Sequence, residues 1–177
     1  MRSVCRKSKR IQGIFKQILI MKKRYLSSKL VSGFSIAFRQ WKALDSHCKK
    51  LHGYSIEFEL FFESKKLDSK NWVQDFGFLK SEIREGLTVR DWFKIHFDHT
   101  TILSEDDPYL DFFTDLGEKG VLDLVEMDGV GCEKFAEFVF KELSRFIRKS
   151  SKGRVSLVEV KCIENKNNSA SYCKRKN

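Results

Sequence analysis

Cys48-Lys49-Lys50-Leu51-His52-Gly53-Tyr54 is the stretch of this chain best suited to chemistry. A thiol ordinarily titrates near about pKa 8.5 and acts as a base only as the thiolate, a form that nearby positive charge favours. Lys49, Lys50 and His52 supply such charge. Read alone, Cys48 is either a structural thiol or half of an active site at the head of an alternating strand. Asp98-His99 is a second candidate. An imidazole near pKa 6.5 suits proton transfer at neutral pH; the plainer reading is a loop histidine bonded to backbone. His96, three residues earlier, competes for the same role. Glu164 ends an alternating run, where a fixed carboxylate can accept two hydrogen bonds from paired N–H groups. Glu133 follows Gly131-Cys132 at the start of a helical pattern. It reads equally as a ligand-binding acid and as an acid stabilised by the helix dipole.

The elements that must position these residues follow from periodicity. Residues 25–40 alternate loosely and predict a first strand, and the polar, basic residues 41–51 predict a loop. Over 54–63, Ile56, Phe58, Leu60 and Phe62 face one way and Glu57, Glu59 and Glu63 the other, the mark of a half-buried antiparallel strand. Asp75 can cap a helix over 75–84, with Phe76, Leu79 and Ile83 on one face. Residues 86–107 read as mostly irregular. Pro108 suits the first turn of a short helix ending near Leu116. A strand is predicted over 121–127, an amphipathic helix over 132–148, a last strand over 154–164, and a polar tail after Tyr172. This order implies an α+β domain: a small antiparallel sheet with two amphipathic helices on one face. The bare face and edges of such a sheet invite self-association.

A chain of 177 residues with 41% hydrophobic content suits one domain with its own core. No apolar run reaches the roughly 18 residues of a membrane span. Five unevenly spaced cysteines, at 5, 48, 132, 162 and 173, argue against a secreted disulfide framework and for a reducing cytoplasm. The net charge of +10 sits entirely in residues 1–30, which hold ten Lys and Arg and no acid. The remainder holds 24 basic and 24 acidic residues, so nucleic-acid binding has support only through that arm. The arm, taken as residues 1–24, reads as a disordered extension, a mis-assigned start ahead of Met21, or a nucleic-acid tail. The domain is taken as 25–172, with a tail over 173–177.

Six motifs stand in register: Phe34-Ser35-Ile36-Ala37-Phe38, Cys48-x3-His52-Gly53-Tyr54, Asp75-Phe76-x2-Leu79-Lys80, Phe97-Asp98-His99, Glu133-x2-Ala136, and Glu164 with Tyr172. Together they resemble the 6-pyruvoyl-tetrahydropterin synthase and 6-carboxy-tetrahydropterin synthase family, over roughly residues 25–172. Phe38-Arg39-Gln40-Trp41 is similar to members carried by marine phages. The resemblance implies the tunnelling fold, an oligomeric ring (trimer or hexamer) with active sites between subunits, and the substrate 7,8-dihydroneopterin triphosphate. It implies a lyase whose 6-carboxy-tetrahydropterin product leads to queuosine and other 7-deazaguanine bases. By the same resemblance Cys48 is the general base, Asp98 and His99 the proton relay, and Glu164 the pterin anchor. Glu133 and Cys132 are further pocket residues. The family's zinc is held by three histidines, and only His52 matches; Phe38 and Tyr54 stand at the other two positions. His47, Cys48 and His52 form an alternative ligand set, at the cost of Cys48 as base. Zinc is therefore expected from the family but doubtful here. A pterin- or purine-binding relative without catalysis is the second reading.

Overall fold

The computed structural model describes residues 24–174, so the basic arm predicted over 1–24 lies outside it except for Arg24. The sheet is built on β1 (Tyr25–Phe38) and β2 (His52–Ser64), paired antiparallel with Phe38 opposite His52 and Ile36 opposite Tyr54. Gly33, at φ +94°, sits in a register shift between Val31 and Phe34 and lets β1 bulge there. β3 (Glu82–Arg84) and β4 (Leu87–Thr88) form a separate small hairpin, followed by α1 (Val89–Phe97) and β5 (Thr100–Ser104). Then come α2 (Leu110–Glu118), β6 (Asp123–Met127), α3 (Cys132–Ser150), β7 (Val155–Ile163) and β8 (Ser169–Cys173).

The main sheet runs β6-β5-β1-β2-β7-β8. Its β1–β2–β7–β8 part is antiparallel, as the alternation predicts, but β5 runs parallel to both β1 and β6. The reason is local: α2 joins β5 to β6, and a helical crossover returns the chain in its original direction. α3 and α1 pack on one face, around Phe34, Phe58, Phe93, Phe97 and Phe135. The rings of Phe58 and Phe97 approach to 4.7 Å. α2 covers the opposite face only at the β5–β6 end, where Gly117 lies against Leu124. Among the described residues the rest of that face carries no helix; it presents Glu57, Glu59 and Glu63, with Leu26 and Leu30 exposed.

Two predicted stretches fold differently. The helix over 75–84 is a single 3-10 turn, Phe76–Lys80, capped by Asp75, whose carboxylate accepts from the Gly77 N–H at 2.8 Å. Beyond it Ser81 turns extended and Ile83 lies in β3, because Gly86 (φ +71°) lets the chain reverse into β4. The region read as irregular contains α1 and β5. Thr88 caps α1 by accepting from the Asp91 N–H at 3.1 Å, and Val89, Trp92, Phe93 and Phe97 are buried along one face. The predicted tail begins inside β8, which pairs with β7 through Cys173.

Candidate active site

Phe38, His52 and Tyr54 lie on one face of the β1–β2 ladder, toward α3, since opposed residues and alternate residues share a face. Their side chains form a stack of rings. Phe38 is buried, lies on Tyr54 with centroids 4.1 Å apart and planes 20° apart, and meets Phe135 edge-on at 5.2 Å. His52 tilts against the other side, 4.4 Å from Tyr54. The His52 Nδ1 lies 2.7 Å from the Lys50 carbonyl, to which it donates. Phe38 offers no lone pair at all. The Tyr54 phenol is pushed up to about 12 by burial first, then by the nearby Cys48 thiol and Glu164 carboxylate, so it is a neutral hydroxyl at physiological pH. Among the described residues no group of three His, Cys, Asp or Glu side chains could hold a metal ion. That includes the alternative His47, Cys48 and His52. The donor set does not fit the family's zinc.

What surrounds Tyr54 does fit organic chemistry. The Cys48 thiol, the Glu164 carboxylate and the Cys132 thiol all act electrostatically on its hydroxyl. Cys48 sits in a single 3-10 turn, His47–Lys49, with its N–H donating to Ser46 Oγ at 3.2 Å and its carbonyl accepting from the Gln40 N–H at 2.7 Å. The loop carrying it is clamped to the β5–α2 connection. Arg39 pairs with Asp107 at 3.2 Å, and the Asp107 side chain is fully buried. Trp41 Nε1 donates to Asp106 at 3.1 Å, and Lys42 binds the same carboxylate. The Lys42 ammonium, with help from Ser104 and Trp41, holds the Asp106 carboxyl well below the usual range.

The opposite wall comes from α3 and the end of β7. Gly131 precedes α3 at φ +112°, ψ 163°, a conformation essentially restricted to glycine. A Cβ there would stand 2.7 Å from Gln40 Nε2 and 3.6 Å from Glu133 Oε2. Close approach of the β1–β2 loop to the helix start therefore requires this glycine. Cys132 opens the helix and Glu133 lies in its first turn, beside a cleft of about 380 Å³ that also touches Gln40 and Trp41. Glu164 follows β7, with its N–H donating to the Asn168 carbonyl at 3.1 Å. Cys162, two residues earlier on the strand, is buried, and β7 packs against the helix that Cys132 opens. The Cys162 thiol, by hydrogen bonding, lowers the Cys132 thiol against the opposing effects of burial, Glu164 and Glu133. Cys162 itself is raised by that same contact and by burial.

Cys48, Tyr54, Cys132 and Glu164 thus share one neighbourhood, with Glu133 and His52 at its rim. Asp98 and His99 do not join it within the subunit. The His99 N–H donates to the Ser35 carbonyl at 2.6 Å, on the side of β1 away from β2. His99 has φ +61°, an uncommon conformation for a residue with a side chain, and its side chain is 82% exposed. Its Nδ1 lies 2.9 Å from Asp98 Oδ1, an ion-pair distance off the hydrogen-bond direction. Among the described residues no hydrogen bond or ion pair links this couple to Cys48. His96 is a core residue: its Nδ1 donates to the Trp92 carbonyl at 2.7 Å, and its ring packs on Trp92 and Phe138. Sequence reasoning missed Cys162 and the Asp106–Asp107 clamp. Cys162 was findable, since it stands two places before Glu164 on an alternating strand. The clamp was not, because it joins residues about 65 positions apart.

A mixed sheet backed by helices on one face, with a cysteine, a hydroxyl and a carboxylate converging beside a helix start, is the tunnelling-fold class. The model of the family "6-pyruvoyl tetrahydropterin synthase" matches residues 28–175, and the chain belongs to that family. An uncharacterised protein from Wolinella succinogenes has a solved structure with TM-score 0.69 at 20% identity, covering 86% of this chain and 99% of that one. The 6-pyruvoyl tetrahydropterin synthase of Caenorhabditis elegans matches at TM-score 0.56 and 19% identity over 86% and 97% of the two chains. That of Plasmodium vivax matches at 0.58 and 18% over 85% and 98%. No curated protein sequence matches significantly.

Proposed function

We propose that this protein is a tetrahydropterin synthase-like lyase that takes 7,8-dihydroneopterin triphosphate to 6-carboxy-tetrahydropterin, with loss of triphosphate and acetaldehyde, for 7-deazaguanine and queuosine synthesis. The observation that carries the reading is that the Cys48 thiol and the Glu164 carboxylate both act electrostatically on the Tyr54 hydroxyl. Glu164 accepts the amino and ring N–H groups of the pterin as a bidentate partner. Cys48 takes a proton from the side-chain carbons, and the Tyr54 hydroxyl donates a hydrogen bond where oxygen charge develops. His99, exposed on the β5 side, and Asp98 beside it relay protons to Cys48 of a neighbouring subunit in a homo-oligomer, trimer or hexamer. The setting is the cytoplasm. No step passes through zinc. Purified protein incubated with dihydroneopterin triphosphate, with and without added zinc, is expected to yield the carboxy product in both. No product under either condition at high enzyme concentration would overturn the reading.

A second reading is favoured by one specific observation, the ring stack at the metal position. It is a pterin- or purine-binding relative without turnover. Calorimetry separates the two: binding without product supports the second.

A further inference from the structure

Among the described residues, none of the β1–β2 loop, 39–51, belongs to the hydrophobic core or packs against it. Apolar burial therefore does not fix Cys48 where it stands, and polar contacts must. Within the loop the Cys48 carbonyl accepts from the Gln40 N–H at 2.7 Å, and the Cys48 N–H donates to Ser46 Oγ at 3.2 Å. Among the described residues, the side-chain hydrogen bonds and ion pairs that leave 39–46 for another part of the chain end on two adjacent carboxylates, Asp106 and Asp107. These stand just beyond β5, a strand that lies between β1 and β6 with every residue buried.

The two carboxylates are unequal anchors. The side chains of Asp106 and its partner Lys42 are each more than half exposed, and such a pair contributes little. The Asp107 side chain is fully buried, and Arg39 is its cation at 3.2 Å. Removing one member of a buried pair leaves the other charge uncompensated, so the inner pair is the one that holds the loop. Asp107 is itself fixed. Its N–H donates to the Ser104 carbonyl and its Oδ1 accepts from the Tyr109 N–H, both at 2.9 Å. The Arg39 guanidinium also lies over the Tyr109 ring, 5.2 Å from its centroid. Arg39 Nε and Asp107 Oδ2 lie off the hydrogen-bond direction, so charge more than directed bonding joins them. The residue after Arg39 is Gln40, whose N–H holds the Cys48 carbonyl.

We propose that Asp107, acting through Arg39 and Gln40, is the positioning residue for Cys48. The proposal rests on the lyase reading above for the meaning of Cys48 as a base; the tie from Asp107 to the Cys48 turn does not need turnover. Asp107 touches no substrate. Its loss should spare binding and slow the step that needs a thiol held in place, because small misplacements of a reacting group are costly.

The test reads hydrogen exchange in the full chain by mass spectrometry, comparing the peptide over 39–50 with a core reference over 56–62. Asp107→Asn keeps the side-chain shape and removes the charge. Exchange over 39–50 should quicken by about tenfold or more while 56–62 stays protected. Alkylation of the half-buried Cys48 by iodoacetamide, mapped by peptide, should quicken in parallel. Asp106→Asn should change neither by more than about twofold. If Asp107→Asn fails to fold, Arg39→Gln/Asp107→Asn, which leaves no buried charge unpaired, is read in the same way. Unchanged exchange and alkylation, protection lost equally over 56–62, or an equal effect of Asp106→Asn overturns the proposal. With dihydroneopterin triphosphate, kcat should fall by about tenfold or more with KM within about threefold. A raised KM with kcat unchanged overturns the link to chemistry. A wild-type protein without turnover refutes the lyase reading, and exchange and alkylation still decide the positioning.

Discussion

In the proposed reaction Glu164 binds the pterin and Cys48 takes the proton, so their substitutions should separate binding from chemistry. Replacing Glu164 by alanine removes two charge-assisted hydrogen bonds. We expect pterin affinity to fall by about 100-fold, or about 2.7 kcal/mol, measured by calorimetry. Cys48→Ser should leave affinity within a few-fold and lower kcat by about 10²–10⁴, the usual worth of a positioned base. If both variants lose binding alike, Cys48 is structural. The metal question has its own residue-scale test. Phe38, His52 and Tyr54 already share a face, with Phe38 directly opposite His52. The double variant Phe38→His/Tyr54→His is therefore expected to bind zinc, one ion per subunit by elemental analysis, where wild type binds none. A metal-free double variant would mean that the backbone, and not only the side chains, has left the zinc geometry.

The elements show why some of this was readable in advance. β2 and α3 carry clean periodicities, with Phe58, Leu60 and Phe62 at period two and Phe135, Val139 and Leu143 at helical spacing, and both form as predicted. α1 escaped because Trp92, Phe93 and Phe97 are poor helix formers. The Thr88 cap is a local signal, three residues from Asp91, that went unread, and the buried face is a tertiary fact. Cys48, Cys132 and Glu164 were candidates through the family resemblance and Tyr54 through the ligand position it occupies; in the fold the other three all act electrostatically on Tyr54. Their contacts were not legible, because each pair joins different elements. Gly131 controls one such junction. In Gly131→Ala the new methyl must displace Gln40 and the backbone must leave its glycine-only conformation. We expect a loss of about 1–3 kcal/mol in urea unfolding and a weakened pterin site. Stability within a few tenths of wild type would show that the loop and helix need not touch.

At the scale of the molecule, the half-buried His96 imidazole gives the fold a pH dependence. Burial against Trp92 and Phe138 holds His96 below its ordinary pKa; Arg84 reinforces this and Glu142 opposes it. In the unfolded chain the imidazole regains its usual value near about 6.5. As pH falls through that value, the unfolded state takes up the proton first, so the folded state loses stability. Urea unfolding between about pH 5 and 7.5 should show stability dropping below about pH 6.5, and His96→Gln should flatten that slope. An unchanged slope would assign the proton uptake elsewhere. The helix-free face of β1, β2, β7 and β8 poses a second whole-molecule question. Sedimentation should find an assembly larger than one chain if relay residues and base come from different subunits.

The stacked rings of Phe38 and Tyr54 carry a consequence for the cell. An enzyme that relies on bound zinc competes for a scarce nutrient and stops when that nutrient runs out. A pair of stacked aromatic rings in the same place asks for no metal. Product formation by this protein should persist in EDTA and in zinc-starved cultures, conditions under which a three-histidine relative fails. Its niche would then be set by nutrient supply as much as by substrate.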